Sequence, residues 1–161
     1  MKELTFRGYL LRRLDLDREE LLAHPNDRGR FLLMRMLDRA FTSPSLSMFW
    51  RYWNPVYGYF LSKYIYRPCR RILPRWTSLL LTFAFCGFFL HDALAWPAAI
   101  TRTGKLFPPP HRITAWFTLI AAGILLSEAL GLRFDALSRR ARIALHLAYL
   151  AITLTLALLL P

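Results

Sequence analysis

Acidic side chains and cysteine are both scarce in this chain of 161 residues: ten Asp/Glu stand against 22 Lys/Arg, and cysteine occurs twice. Cys69 lies among arginines and Cys86 inside an apolar run, so no structural disulfide between them is expected. Repeats, low-complexity tracts and an interdomain linker are missing too, which argues for one domain at most. The first 13 residues carry Arg7, Arg12 and Arg13 where a secretory signal needs an unbroken apolar core, so cleavage is not expected. No nucleic-acid-binding motif accompanies the net charge of +12; the arginines flank apolar runs instead, where anionic lipid headgroups account for them.

What is present is apolar surface beyond the needs of a soluble domain: 55% hydrophobic and 15% aromatic residues. Three runs, 76–96, 113–132 and 143–160, each approach the roughly 20 residues that cross a hydrocarbon core about 30 Å thick. The expected fold class is therefore an all-α integral membrane protein with three transmembrane helices. The 75 residues before the first run hold 15 Lys/Arg and 7 Asp/Glu, and the rest of the chain, that run included, holds 7 and 3. The positive-inside rule then places the N-terminal part in the cytoplasm, the loop 97–112 outside, the loop 133–142 with Arg133, Arg139, Arg140 and Arg142 inside, and the tail outside.

Residues 1–42 read as a cytoplasmic, interfacial layer of amphipathic helices, and 43–161 as the membrane domain, with a motif helix and interfacial segment over 43–75. Asp17-Arg-Glu-Glu20 has the form of a capping box opening a short helix closed by Pro25. From Arg28 to Phe41, Phe31, Met34, Leu37 and Phe41 recur at helical spacing while Arg28, Arg35, Asp38 and Arg39 gather elsewhere, the pattern of a helix in the headgroup plane. Ser43-Pro44 supplies an N-cap and first-turn proline for the next helix, which Pro55 interrupts, leaving Asn54 at a break. The aromatic stretch 56–66 is too short to cross and is expected to dip into the bilayer as a re-entrant segment. Pro108, Pro109 and Pro110 stiffen the outer loop, and Glu128 with Gly123 and Gly131 marks a close helix–helix contact or a cavity wall.

Groups able to do chemistry are few. His91 and Asp92 lie in the outer half of the first span, where an imidazole is either satisfied by a neighbouring helix or part of a site, and where a carboxylate must be paired, protonated or near the surface. Asn54 either caps a helix or belongs to that site. The run Phe49-Trp50-Arg51-Tyr52-Trp53-Asn54 resembles the F-Y-x-D-W-W-N signature of sterol and diacylglycerol acyltransferases and the Phe-Trp-Arg-x-Trp-His version of bacterial members of the membrane-bound O-acyltransferase family. Tyr64-Ile65-Tyr66-Arg67-Pro68 and Phe88-Phe89-Leu90-His91 follow in the order that family has, an edge segment and then the helix with the catalytic histidine. The likeness covers 43–96 and is that of the family's C-terminal core. Family members are several times longer, the bacterial His-Gly pair is His91-Asp92 here, and Tyr52 replaces the signature's Asp.

The resemblance implies acyl transfer from a thioester, acyl-CoA delivered on the basic cytoplasmic side of a bacterial inner membrane, to a hydroxyl on a lipid or glycan. It makes His91 the general base and Asn54 the group that orients the thioester or the acceptor. Arg51, Trp50 and Trp53 become substrate-binding candidates, with Arg51 also suited to a headgroup anchor. No metal and no cofactor beyond the acyl-CoA substrate is called for. Because only three spans are legible, a second copy or a partner subunit is expected to complete the tunnel. Two other readings stand beside it: a shortened, non-catalytic relative acting as a membrane scaffold, and a haem- or quinone-binding subunit using His91 and His146. The depths oppose the last, since His146 lies about one turn into its span, roughly 6 Å, and His91 roughly 22 Å along its own. His111 is expected to be an interface residue and His24 a structural one.

Overall fold

Short polar side chains set where four of the helices begin. Thr5 accepts from the Gly8 N–H (3.2 Å) to open α1, Phe6–Leu14. Ser45 accepts from Met48 N–H (3.2 Å) ahead of α3, Leu46–Tyr52, and Asn54 accepts from Tyr57 N–H (3.3 Å) ahead of α4, Pro55–Leu61. Each of these contacts satisfies an amide that the helix itself leaves without a partner. Between α1 and α3 lies α2, Arg28–Phe41, with the bounds its periodicity predicts. The computed structural model describes residues 5–17, 19, 20, 27–93, 97, 101 and 112–160.

The expected capping box is formed: Asp17 N–H donates to Glu20 Oε2 (3.1 Å) and Glu20 N–H to Asp17 Oδ1 (2.7 Å). Pro25, His24, the outer-loop prolines, His111 and Trp96 lie outside the described residues. Ser43 is a correction. The cap of α3 falls two residues later, on Ser45, because the Ser43 hydroxyl turns inward to the carbonyl of Ser45 (3.2 Å) and to His146.

Beyond α4 the backbone stays helical through a π-helical turn, Ser62–Tyr66, into α5, Arg67–Ile72. After Pro74, α6 runs Arg75–Gly87 and continues through a second π-helical turn, Phe88–Asp92. Two further helices follow, α7 at Arg112–Ala129 and α8 at Arg139–Leu159. Among the described residues α7 and α8 are the helices long and apolar enough to cross a membrane. All regular structure among the described residues is helical. Ser138 caps α8, so this helix starts four residues before the expected boundary and carries Arg139, Arg140 and Arg142 in its first turns.

α6 and α7 pack antiparallel and are laced at both ends. Arg75 Nη1 meets Glu128 Oε2 at 2.7 Å at one end, and Asp92 accepts from Thr114 at the other. Near that second end Gly87 presses directly on the α7 backbone; a Cβ there would stand 2.6 Å from Thr114 Cα and 2.9 Å from the Ile113 carbonyl oxygen. Gly123 likewise leaves room for the Tyr149 ring, whose hydroxyl donates to the Ile120 carbonyl. Gly131 has a different job from the close approach expected of it. It has φ +64° with nothing near its absent Cβ, and serves as the left-handed residue that ends α7.

The core lies where α3 meets these helices: Leu46, Ile120, Ile124 and Phe134 are buried, with Trp50, Phe83, Trp116 and Tyr149 packed around them. α2 is tied across the top by the Arg39–Asp15 pair (2.7 Å) to the end of α1 and by Asp38 to Arg139 on α8. The sequence motif thus lies inside the bundle, on a short helix held by α2, α7 and α8.

Candidate functional site

α3 is too short to persist alone, so its side chains are held by an aromatic layer rather than by helix propensity. Phe49, 1% exposed, packs edge-on against Phe41 (ring centroids 5.2 Å) and Trp50 (5.2 Å) and stacks on Trp53 (5.5 Å). Trp50 carries the layer onward to Phe83 (5.5 Å) and Phe117 (6.1 Å). On the far side of Phe117 sits His91, its ring stacked at 5.2 Å and 28°. The motif helix and the histidine are therefore joined through one phenylalanine.

Asn54 and His91 are not brought into contact. Among the described residues no hydrogen bond joins them, and the ring contacts of His91 lead through Phe117 to Trp50 without reaching Asn54. Asn54 is half-buried with φ 41°, and its side-chain oxygen caps α4. That use leaves the amide N–H2 as the end that can donate to a ligand. His91 is exposed on this chain, one residue before the half-buried Asp92. Arg51 is exposed in the last turn of α3, and Trp53 is half-buried within the aromatic layer. The Trp50 indole N–H is enclosed and has no hydrogen-bond partner among the described residues, an orphan donor inside the matched motif.

Asp92 is paired, as one of the three expectations for it required. Its Oδ2 accepts from Thr114 N–H (2.9 Å) and from the Thr114 hydroxyl (2.6 Å), in the first turn of α7 where a carboxylate is favoured. Sequence reasoning had no means of naming Thr114 or Phe117, because both lie on α7 and their nearness to His91 is a tertiary fact. Two open clefts, of about 310 Å³ and 410 Å³, are lined by residues of the N-terminal layer, the first also by Ser43, Pro44 and Tyr52; neither reaches His91 or Asn54.

His146 is engaged elsewhere. It is 0% exposed, its Nε2 lies 3.1 Å from the Ser43 carbonyl oxygen and 3.2 Å from Ser43 Oγ, and Phe49 covers its face at 5.0 Å. A carbonyl only accepts, so Nε2 carries the proton. An imidazole with that nitrogen committed, and linked to His91 only through the successive ring contacts of Phe49, Trp50 and Phe117, is poorly placed to share an iron with it. Among the described residues no group of three or more His, Cys, Asp or Glu is clustered to hold a metal.

The fold and this layer define a class: an all-helical membrane protein whose tryptophan-rich helix is buried beside a helix bearing a histidine. Residues 23–96, a little under half of the chain, match the family model described as MBOAT, membrane-bound O-acyltransferase family. The matched stretch contains α2 to α6, the motif and His91, and ends before α7 and α8. No curated protein and no solved structure matches the chain. The family points to membrane acyltransferase activity in general.

Proposed function

We propose that the protein transfers an acyl group from a thioester, acyl-CoA, to a hydroxyl on a lipid or glycan acceptor, with His91 as general base. The aromatic bridge His91–Phe117–Trp50, which brings the matched motif to the histidine, carries this reading. His91 removes the acceptor's hydroxyl proton as the oxygen attacks the thioester carbon, and returns it to the departing thiolate, so that an ester and a free thiol result and no covalent enzyme intermediate is needed. The orphan indole N–H of Trp50 and the amide of Asn54 are the donors to set against the thioester carbonyl as charge develops on it. Trp53 backs that wall, and Arg51, exposed at the cytoplasmic edge, faces the donor's phosphates or a lipid headgroup.

In this reading the chain sits in a bacterial inner membrane with its N-terminus in the cytoplasm and crosses three times, the helix from Arg75 to Asp92 being the first crossing and 56–66 an interfacial or re-entrant approach to it. Further helices, from a second copy or a partner subunit, cover the open side of His91 and complete a dry tunnel. The test is transfer of labelled acyl groups from acyl-CoA to a lipid or glycan extract by protein in nanodiscs. Loss of transfer in both His91→Ala and Asn54→Ala, with unchanged helix content, is the expected result.

The exposure of His91 favours one alternative, a non-catalytic relative whose histidine face is a docking surface for a membrane partner. Absence of transfer from the folded wild-type protein together with any partner that co-purifies with it would decide for that scaffold.

A further inference from the structure

We infer that Asp92 and Thr114 are positioning residues for His91: their paired hydrogen bonds hold the π-helical turn that presents the imidazole. The inference rests on the reading of His91 as the base and adds what aims it. A π-helical turn departs from the pattern of the surrounding α-helix and persists where neighbours hold it, often at functional sites. Here the neighbours pin it at both ends onto one turn of α7. At the start, Gly87 lies so close to Ile113 and Thr114 that the backbones touch without room for a Cβ. At the end, Asp92 Oδ2 takes both the N–H and the hydroxyl of Thr114 at 2.9 and 2.6 Å. His91 lies between these clasps, and its ring rests on Phe117, one helical turn beyond Thr114.

Neither clasp touches a reacting atom. Their effect on chemistry passes through the angle and height of the imidazole, and misplacing a base by about 1 Å can cost on the order of a hundredfold in rate. The second bond is also separable from the first. Thr114→Val removes the hydroxyl and keeps the N–H and side-chain volume, Thr114→Ser keeps both donors, and Asp92→Asn keeps one acceptor oxygen while removing the charge.

The experiment uses the full chain in nanodiscs with isotope-labelled histidine. The ring-current shift that Phe117 imposes on the His91 protons, assigned by comparison with Phe117→Leu, reports the stacking independently of turnover. Thr114→Val is expected to remove that shift and to lower kcat about tenfold with KM within about twofold, as for a misaligned base whose substrate sites are intact; Thr114→Ser restores both. Asp92→Asn repeats the spectral change should Thr114→Val fail to fold. His91 resonances that stay at their wild-type positions in Thr114→Val and Asp92→Asn would overturn the inference. Full transfer by His91→Ala, or none by wild type, would instead remove the catalytic reading while the spectra still decide the positioning.

Discussion

His146 is buried with no exposure, and its Nε2 makes both of its polar contacts to one residue, Ser43, while Nδ1 has no hydrogen-bond partner among the described residues. This pair joins α8 to the turn before the motif helix, so its loss should loosen α3. His146→Ala removes a ring packed on Phe49 and leaves the Ser43 carbonyl unpaired, and is expected to cost about 2–4 kcal/mol. Ser43→Ala deletes a hydroxyl alone and should cost about 1 kcal/mol. Both are read by reversible unfolding in mixed micelles. Equal losses for the two would show that the ring carries little of the packing. A separate single-residue effect lies in the loop between α7 and α8, where the Arg133 guanidinium donates to Asp135 at 2.7 Å and holds its carboxyl below the ordinary value. A depressed carboxyl contributes order above its unfolded pKa and loses it as pH falls through the folded one. Arg133→Gln is therefore expected to raise the Asp135 titration midpoint, measured by NMR of the labelled carboxylate; an unchanged midpoint would show the ion pair to be idle.

At the scale of elements, the periodic helix α2 was legible to the residue, because its pattern alternates apolar and charged faces over 14 positions. The start of α3 was not, since Ser43 and Ser45 are equally good caps locally and the choice is made by His146, 103 positions away. The roles of the glycines were open for a related reason: sequence shows that a residue is small and says nothing of what lies against it. Gly87→Ala would drive a methyl into the α7 backbone and should cost about 1–3 kcal/mol by overpacking. Gly29, in α2 with nothing within 4 Å of a new Cβ, gives the opposite expectation, a gain of up to about 1 kcal/mol from helix propensity. Thermal unfolding of the two variants side by side checks the contrast; a tolerated Gly87→Ala would mean that α6 and α7 can slide apart freely.

Over the whole molecule, the tryptophan-rich run and the downstream histidine were visible in the sequence because they occur in order on one strand of chain, whereas Phe117, the residue that connects them, came from a helix with no distinguishing mark. The same connection bears on how often the chain crosses the bilayer. Arg75–Glu128 and Asp92–Thr114 clasp α6 with its π-helical turn to α7 at both ends, and the α7 residues in these clasps lie 14 positions apart, roughly 21 Å of helix. A helix fastened this way to a membrane-length neighbour shares its depth, so if α7 crosses, the stretch from Arg75 to Asp92 crosses beside it. Three antiparallel crossings put the two ends of the chain on opposite sides, and two would put them on the same side. Reporters fused before Met1 and after Pro161 are therefore expected to give opposite accessibility to an impermeant reagent; in the proposed orientation, with the arginines of α2 and α5 facing the anionic inner leaflet, the N-terminal one is the one protected in intact cells. Equal accessibility of both ends would detach Arg75–Asp92 from the set of crossings and place His91 away from the membrane interior, where a water-poor acyl-transfer site has to be.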